Sequence, residues 1–199
     1  ERGEPPLLEF YFVEPCARRE ATTLLAKFET YSYGHGHAAL GYTRRDGERV
    51  VVNICNPAAS GNDLVTFLTP TEFLFSTSER AFRASEQYGV YSRSFVSLRV
   101  EWHRDNAALR DADAAAVERV HAFFVALNEA WRARRVAFSL TPVHTLIEDA
   151  RWRLGITPVR SGNCAEWISR GLVAGGFVRR ARVFPKHCLI DLYEQQRAR

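Results

Sequence analysis

The chain lacks methionine altogether, and its 199 residues include only four cysteines, at positions 16, 55, 164 and 188. No two of these form a C-x-x-C pair, and this sparse set argues against a disulfide scaffold and a zinc ribbon. A reducing compartment fits best. Because Glu1 is not a translated start, we expect that a presequence was removed or that the sequence begins late. A basic, arginine-rich chain of this kind would suit the mitochondrial matrix, and the cytoplasm is the alternative.

Long apolar runs are also absent. None approaches the ~20 residues that a membrane helix needs, so the sequence predicts no transmembrane segment. The formal net charge is +4 and the pI is about 9.0. The basic residues are almost all arginine and lie in short groups, which indicates a solvated basic surface or, as an alternative, an acidic or phosphate-rich partner. No recognisable nucleic-acid module accompanies them, so a nucleic-acid partner is not predicted.

The chain does contain enough apolar sequence for a core, with 46% hydrophobic and 12% aromatic residues. Its length predicts one domain over residues 1–199. Alternating side chains predict strands at Leu7–Val13 and Ser94–Trp102, and a β-hairpin turning at Asp46-Gly47. An apolar stripe at helical spacing predicts a long helix over Asp111–Arg135. This order predicts an α+β fold, an antiparallel β-sheet packed against helices, with a helical insertion around 105–155.

A helix start is predicted at Asn163-Cys164. Asn163 is a favoured N-cap residue, and Glu166 stands three positions on, where its side chain can reach back to the cap's N–H. The unpaired N–H groups and the dipole of a helix start favour a thiolate at Cys164. Cys164 is therefore a candidate nucleophile, and a buried, inert cysteine is the alternative.

Two histidines lie on the first strand of the predicted hairpin. His35 and His37 are two residues apart among small residues, so both project from one face. The paired strand offers Asn53, a polar residue inside an apolar run, which could orient a histidine ring or bond to local backbone. His35 and His37 could alternatively bind zinc, with Asp46 or Cys55 as the third ligand, although neither stands at a spacing typical of a zinc site. Of the other histidines, His121 is expected to pack in the long helix and His103 to lie on the surface.

The hairpin and the helix start together resemble a known family. The motifs are His37-Ala38-Ala39-Leu40, the Asp46-Gly47 turn, Asn53 and Asn163-Cys164-Ala165-Glu166-Trp167-Ile168. They are similar to the circularly permuted papain-like fold of NlpC-like peptidases, lecithin:retinol acyltransferase-like enzymes and PPPDE-type isopeptidases. The matched context covers residues 34–56 and 156–190. The resemblance implies a nucleophile-bearing helix late in the chain, with Cys164 as nucleophile, His37 as general base and Asn53 as orienting group.

The resemblance also implies an activity. We expect a cysteine-dependent hydrolase or acyltransferase, thiol peptidase- or isopeptidase-like, in which Cys164 forms a thioester with a peptide, isopeptide or acyl-ester substrate. Asn163 and backbone N–H groups near Cys164 would cap the helix and hold the oxyanion, and His35 is the secondary candidate for the base. No metal and no cofactor are expected. The competing prediction is an inactive papain-like accessory subunit of a larger, mitochondrial complex, and a third is a zinc module using both histidines.

Overall fold

The computed structural model describes residues 4–13, 36–54, 63–79, 95–103, 106–139 and 142–197. A five-stranded antiparallel sheet forms its centre, in the spatial order β4-β3-β2-β1-β5. Its strands are β1 (Leu8–Val13), β2 (His37–Thr43), β3 (Arg49–Ile54), β4 (Val65–Leu68) and β5 (Phe95–Val100). The predicted antiparallel sheet of an α+β chain is therefore confirmed. A helix suggested by the sequence at Ala17–Phe28 lies outside the described residues.

Helices and a small second sheet occupy most of the second half. The helices are α1 (Pro70–Phe75), α2 (Ala107–Arg132), α3 (Pro142–Arg153), α4 (Cys164–Gly175) and α5 (Pro185–Arg197). Two short strands, β6 (Val136–Phe138) and β7 (Arg160–Gly162), pair in parallel, which the sequence did not predict because each has only three residues. Among the described residues, none of the helices is long and apolar enough to cross a membrane.

The hairpin of β2 and β3 forms as predicted. Gly47 adopts a φ of 87° at the turn, a left-handed conformation that favours glycine. The carboxylate of Asp46 accepts a hydrogen bond from the backbone N–H of Glu48 at 3.0 Å. This turn sets a register in which Ala39 lies opposite Asn53.

Both faces of the sheet are covered. On one face, Ala38 and Leu40 belong to the main core, which also contains Phe124 of α2 and Ile168 of α4. On the other face, Ala39 and its neighbours pack against Phe73 of α1. Because successive strand residues alternate between these faces, the residues on either side of a peptide bond in β2 contact different layers.

The helix α2 belongs to the main core. A Cβ on Gly171 of α4 would lie 2.5 Å from the ring of Phe124, so the glycine allows the two helices to approach closely. The helix also begins one turn before the predicted Asp111, with Asn106 as its N-cap. The carboxylate of Asp113, in the second turn of the helix, is buried and lies 2.8 Å from the His103 ring. This contact also half-buries His103, contrary to its predicted surface position.

Candidate active site

Cys164 is the first residue of α4, as the sequence predicted. The side-chain oxygen of Asn163 accepts a hydrogen bond from the backbone N–H of Glu166 at 2.9 Å, which confirms Asn163 as the N-cap. The amide nitrogen of Asn163 donates to the carbonyl of Val183 at 2.8 Å. Both ends of this buried side chain are therefore used to anchor the helix start.

The second half of the predicted capping box is not made. The carboxylate of Glu166 turns away from the cap and accepts hydrogen bonds from Arg170, at 2.9 Å from Nε and 2.6 Å from Nη2. The guanidinium of Arg160 lies 3.8 Å from the same oxygen. These contacts all go to Oε1, for which a cation four residues along the helix is a stronger partner than one neutral N–H group, whereas Oε2 is buried without a hydrogen-bond partner among the described residues.

The thiol of Cys164 lies between the start of α4 and the start of β2. Backbone N–H groups of Ala38, Ala165 and Cys164 itself lie near enough to the sulfur to lower the pKa of the thiol. Burial raises the pKa of the Cys164 thiol above its ordinary value, although these three N–H groups lower it. The N–H groups of the helix start therefore act in the predicted direction, but desolvation of the charged form outweighs them, so the resting group is a thiol and not a thiolate.

His37 and Asn53 form a buried pair at the same end of the sheet. Nε2 of His37 lies 2.6 Å from the side-chain oxygen of Asn53, and the two residues are 1% and 2% exposed. An amide oxygen can only accept a hydrogen bond, so Nε2 carries the proton. In a neutral ring the lone pair then belongs to Nδ1, which is the nitrogen able to accept a proton. The structure thus brings together two of the residues that the sequence singled out.

The backbone before His37 explains why small residues surround it. Gly36 has a φ of 73°, and a Cβ there would lie 2.6 Å from the carbonyl oxygen of Val13 and 2.9 Å from the ring of Phe12. Glycine is therefore required both for its conformation and for the close approach of β1. The chain can enter β2 and present the His37 ring only with this residue in place.

The two halves of the candidate site meet at the first peptide bond of β2. One of the N–H groups that lower the pKa of the Cys164 thiol belongs to Ala38, the residue directly after His37. Strand alternation places Ala38 on the face that packs against α4, and His37 on the face of Ala39. The thiol therefore lies beside the backbone of His37, at the end of the strand rather than over the middle of the sheet.

The other residues that the sequence suggested as ligands or bases lie outside the described residues or on an exposed turn. His35, Cys16 and Cys55 lie outside the described residues. Asp46 is on an exposed turn and accepts a hydrogen bond from Glu48 there. Within the ranges that the structure describes, no three His, Cys, Asp or Glu side chains are grouped to hold a metal ion. His121 packs as predicted, with its ring 2.9 Å from the hydroxyl of Tyr42.

A second cysteine lies close to the helix start. Cys188 of α5 is 1% exposed, and its thiol donates to the carbonyl of Ala165 at 3.5 Å. Burial raises the pKa of the Cys188 thiol to about 12, so this sulfur stays protonated. Cys188 is a structural neighbour of the nucleophile candidate, and its removal provides a control for any reaction at Cys164.

Sequence reasoning missed the charged cluster behind the helix start. Arg160 of β7 bonds Asp149 of α3 at 2.9 Å and lies over the ring of Trp152 at 4.4 Å. Burial raises the pKa of Glu166, although Arg170 and Arg160 lower it. The spacing of Glu166 and Arg170 could have indicated their ion pair. The contact with Arg160 had no local signal, because it depends on how β7 packs.

Comparison with known proteins gives no relative: no family model, no curated protein and no solved structure matches this chain.

Proposed function

We propose that this protein is a cysteine-dependent hydrolase or acyltransferase of the circularly permuted papain-like type. The observation that carries the proposal is the buried hydrogen bond of His37 Nε2 to Asn53, one residue before the Ala38 peptide N–H that lowers the pKa of the Cys164 thiol. A nucleophile, a base and a group that fixes the base's tautomer are the parts that thiol catalysis requires. The antiparallel sheet and the late helix that begins at Cys164 support the same family.

In this mechanism the thiol is neutral until the substrate is bound. Burial raises the pKa of Cys164, so a base must remove the proton as the sulfur attacks the substrate carbonyl. The His37 ring starts from the opposite face of β2, so its Nδ1 takes this proton by reaching the sulfur around the end of the strand. The N–H groups of Cys164 and Ala165 face the sulfur at the helix start and stabilise the resulting oxyanion. The imidazolium then protonates the departing amine or alcohol, which leaves a thioester. Water or an acyl acceptor resolves the thioester, with His37 acting again as the base.

The role of Asn53 follows from its hydrogen bond with His37. Its side-chain oxygen accepts the hydrogen bond of the Nε2–H group, which keeps the lone pair on Nδ1 and stabilises the imidazolium that forms during the reaction. His35 stays the secondary candidate for the base. Peptide, isopeptide and acyl-ester substrates all present the carbonyl that this mechanism requires. Cys164 and Cys188 are both free thiols, which supports a reducing compartment, and within it the mitochondrial matrix or the cytoplasm.

Acylation by p-nitrophenyl acetate tests this proposal. We expect a covalent acetyl group on Cys164, located by mass spectrometry, and release of nitrophenol. Cys164→Ala abolishes the adduct, and His37→Ala slows its formation by about 100-fold because the general base is lost. His144→Ala removes an exposed histidine from α3, and Cys188→Ala removes the neighbouring thiol, so both acylate as the wild type does.

A folding defect must be separated from a chemical one, because His37 and Asn53 are buried. Thermal melting of each variant provides this check. Asn53→Asp keeps an acceptor for Nε2, so we expect it to retain more activity than Asn53→Ala. An adduct on another residue, or equal rates for folded His37→Ala and His144→Ala, would contradict the proposed catalytic site.

An inactive accessory subunit is the second candidate, and one observation favours it. The raised pKa of Cys164 leaves the resting thiol less reactive than the nucleophile of an activated cysteine enzyme. Such a subunit would keep the His37–Asn53 bond as part of the fold and contribute surfaces to a larger assembly. Absence of Cys164 acylation in a correctly folded protein would select this alternative.

A further inference from the structure

In the helix α3, Thr145 and the acidic side chains are turned inward, whereas Leu146 and Ile147 are turned outward. Thr145 is fully buried, whereas Leu146 and Ile147 are each 52% exposed. The carboxylates of Glu148 and Asp149 are each 15% exposed, and that of Asp149 bonds Arg160 of β7. A helix that packs on a protein core normally does the reverse. The apolar residues of α3 are therefore not explained by the fold.

The exposed apolar residues continue beyond the end of α3. Leu154 is 75% exposed and Ile156 is 60% exposed, on either side of Gly155, whose φ is 71°. We call Leu146, Ile147, Leu154 and Ile156, together with Arg151 and Arg153, the α3 surface. Single exposed apolar residues are normal, but a run of them on one helix and its following loop is typical of an interaction site.

The charges of α3 are divided in the same way as its apolar residues. Its acidic side chains are directed inward and ion-paired with arginines, at 2.9 Å from Arg151 to Glu148 and 2.7 Å from Arg153 to Asp149. The side chains of these two arginines remain 50% and 68% exposed. The outward charge of the α3 surface is therefore cationic, and the exposed Arg134 and Arg135 precede the neighbouring strand β6.

The exposed apolar residues and the arginines of the α3 surface together limit the kind of partner that can bind there. A two-fold dimer through the α3 surface would bring arginines against arginines, which disfavours a second copy of the chain. Leu154 and Ile156 lie on a loop beyond the helix end, where they are among the most exposed apolar side chains of the described residues. Outward leucine and isoleucine with flanking arginine are the features of a helix that lies in the interface of an anionic bilayer.

We propose that the α3 surface docks this protein on an anionic lipid bilayer. The apolar side chains enter the boundary between headgroups and acyl chains, and Arg151 and Arg153 contact lipid phosphates. The helix lies on the bilayer and does not cross it. Since β7 leads from α3 directly into Asn163-Cys164, docking would hold the start of α4 near the lipid surface.

Vesicle sedimentation tests this proposal without any enzymatic readout. The probes are phosphatidylcholine vesicles with and without phosphatidylglycerol. We expect the wild-type chain to bind the anionic vesicles and to bind them more weakly as salt is raised. The double variant Leu154→Asp/Ile156→Asp should lose at least about tenfold in affinity. Arg151→Gln and Arg153→Gln should each lose roughly fivefold.

The matched control is Phe75→Asp, which changes a side chain on α1 that is 68% exposed and leaves the α3 surface intact. It should bind as the wild type does. No binding to vesicles, equal binding to neutral vesicles, or equal losses in Phe75→Asp and in the double variant would overturn the proposal. So would a wild-type dimer in solution that the double variant abolishes, since it would identify a second copy as the partner.

Docking and catalysis are tested separately. Cys164→Ala should bind vesicles as tightly as the wild type, because Cys164 is not part of the α3 surface. Vesicle binding without acylation of Cys164 would reject the proposed activity and leave the docking proposal intact. Acylation without vesicle binding would reject the docking proposal alone.

Discussion

The helices α3 and α4 each contain twelve residues and lie on either side of β7 in the chain, yet they bury opposite kinds of side chain. In α4, Ile168 and Leu172 are fully buried against the sheet and α2. In α3, Leu146 and Ile147 are more than half exposed. An apolar stripe in a sequence thus predicts a helix but does not say whether the stripe will be covered.

The strand between the two helices explains part of the difference. Arg160 of β7 bonds Asp149 of α3 and approaches Glu166 of α4, so both helices turn an acidic side chain towards the same guanidinium. For α4 the opposite side meets the sheet, and its apolar residues are buried there. For α3, nothing within the described residues forms such a layer on the opposite side, and Leu146 and Ile147 stay exposed. The charged contact orients both helices, but only α4 also contributes to the core.

Truncating one leucine in each helix should produce the largest difference in the free energy of unfolding between an α4 variant and an α3 variant. We expect Leu172→Ala to reduce the free energy of unfolding by about 3 kcal/mol, because it leaves a cavity in the main core. Leu146→Ala should change it by less than about 0.5 kcal/mol, because the side chain is already exposed. Urea unfolding followed by circular dichroism measures both. Similar losses would mean that the Leu146 side chain is covered in solution.

Removing one arginine from each helix should give a smaller difference in the free energy of unfolding between the two variants. Arg170→Ala leaves the buried Glu166 carboxylate without its main partner, so we expect a loss of about 2 kcal/mol, below the usual range because Arg170 is itself partly exposed. Arg153→Ala breaks an ion pair whose cation is 68% exposed and should cost about 0.5 kcal/mol. Losses of equal size in the same urea experiment would refute the distinction between the two pairs.

The pH dependence of Glu166 should give the smallest effect. Burial raises its pKa in the folded state, so the unfolded chain releases this proton first as the pH rises. The contribution of Glu166 to stability is therefore present below its ordinary pKa of 4.5 and is lost as the pH rises through the folded value. Relative to Glu166→Gln, we expect the wild type to lose about 1 kcal/mol between acidic and neutral pH.

The control measures the pH dependence of stability again for Glu and Gln at position 166, in chains that also carry Arg170→Ala. Arg170 lowers the pKa of Glu166, so its removal should enlarge the loss between acidic and neutral pH. Urea unfolding at a series of pH values measures all four chains. A stability difference between wild type and Glu166→Gln that is constant with pH would show that the pKa of Glu166 is not raised.

Local signals in the sequence predicted the elements that contain the site. The Asp46-Gly47 turn predicted the hairpin, and Asn163 predicted the start of α4, because both depend on residues only a few positions apart. The Thr69-Pro70-Thr71-Glu72 sequence likewise forms a capping box at the start of α1. The pairing of His37 with Asn53 could be suggested because the turn sets the register of the two strands.

Other features depend on contacts between distant parts of the chain. Glu166 was expected to bond the helix cap and instead pairs with Arg170, because the cap lies in a buried, charged environment that the local sequence does not reveal. The start of α2 was placed too late, and the contact of Asp113 with His103 was not predicted. The strands β6 and β7 are too short to produce a periodic pattern and form only because they pair with each other.

The sequence by itself determined the α+β order, the hairpin, the cap at Asn163 and the position of Cys164 at a helix start, since all of these follow from turn residues, caps and side-chain periodicity. The tertiary structure decided the environment of that cysteine. It brought the Ala38 peptide to the sulfur, buried the thiol enough to raise its pKa, and left the apolar face of α3 uncovered. Burial depends on which surfaces meet when the chain folds, and no short stretch of sequence specifies that.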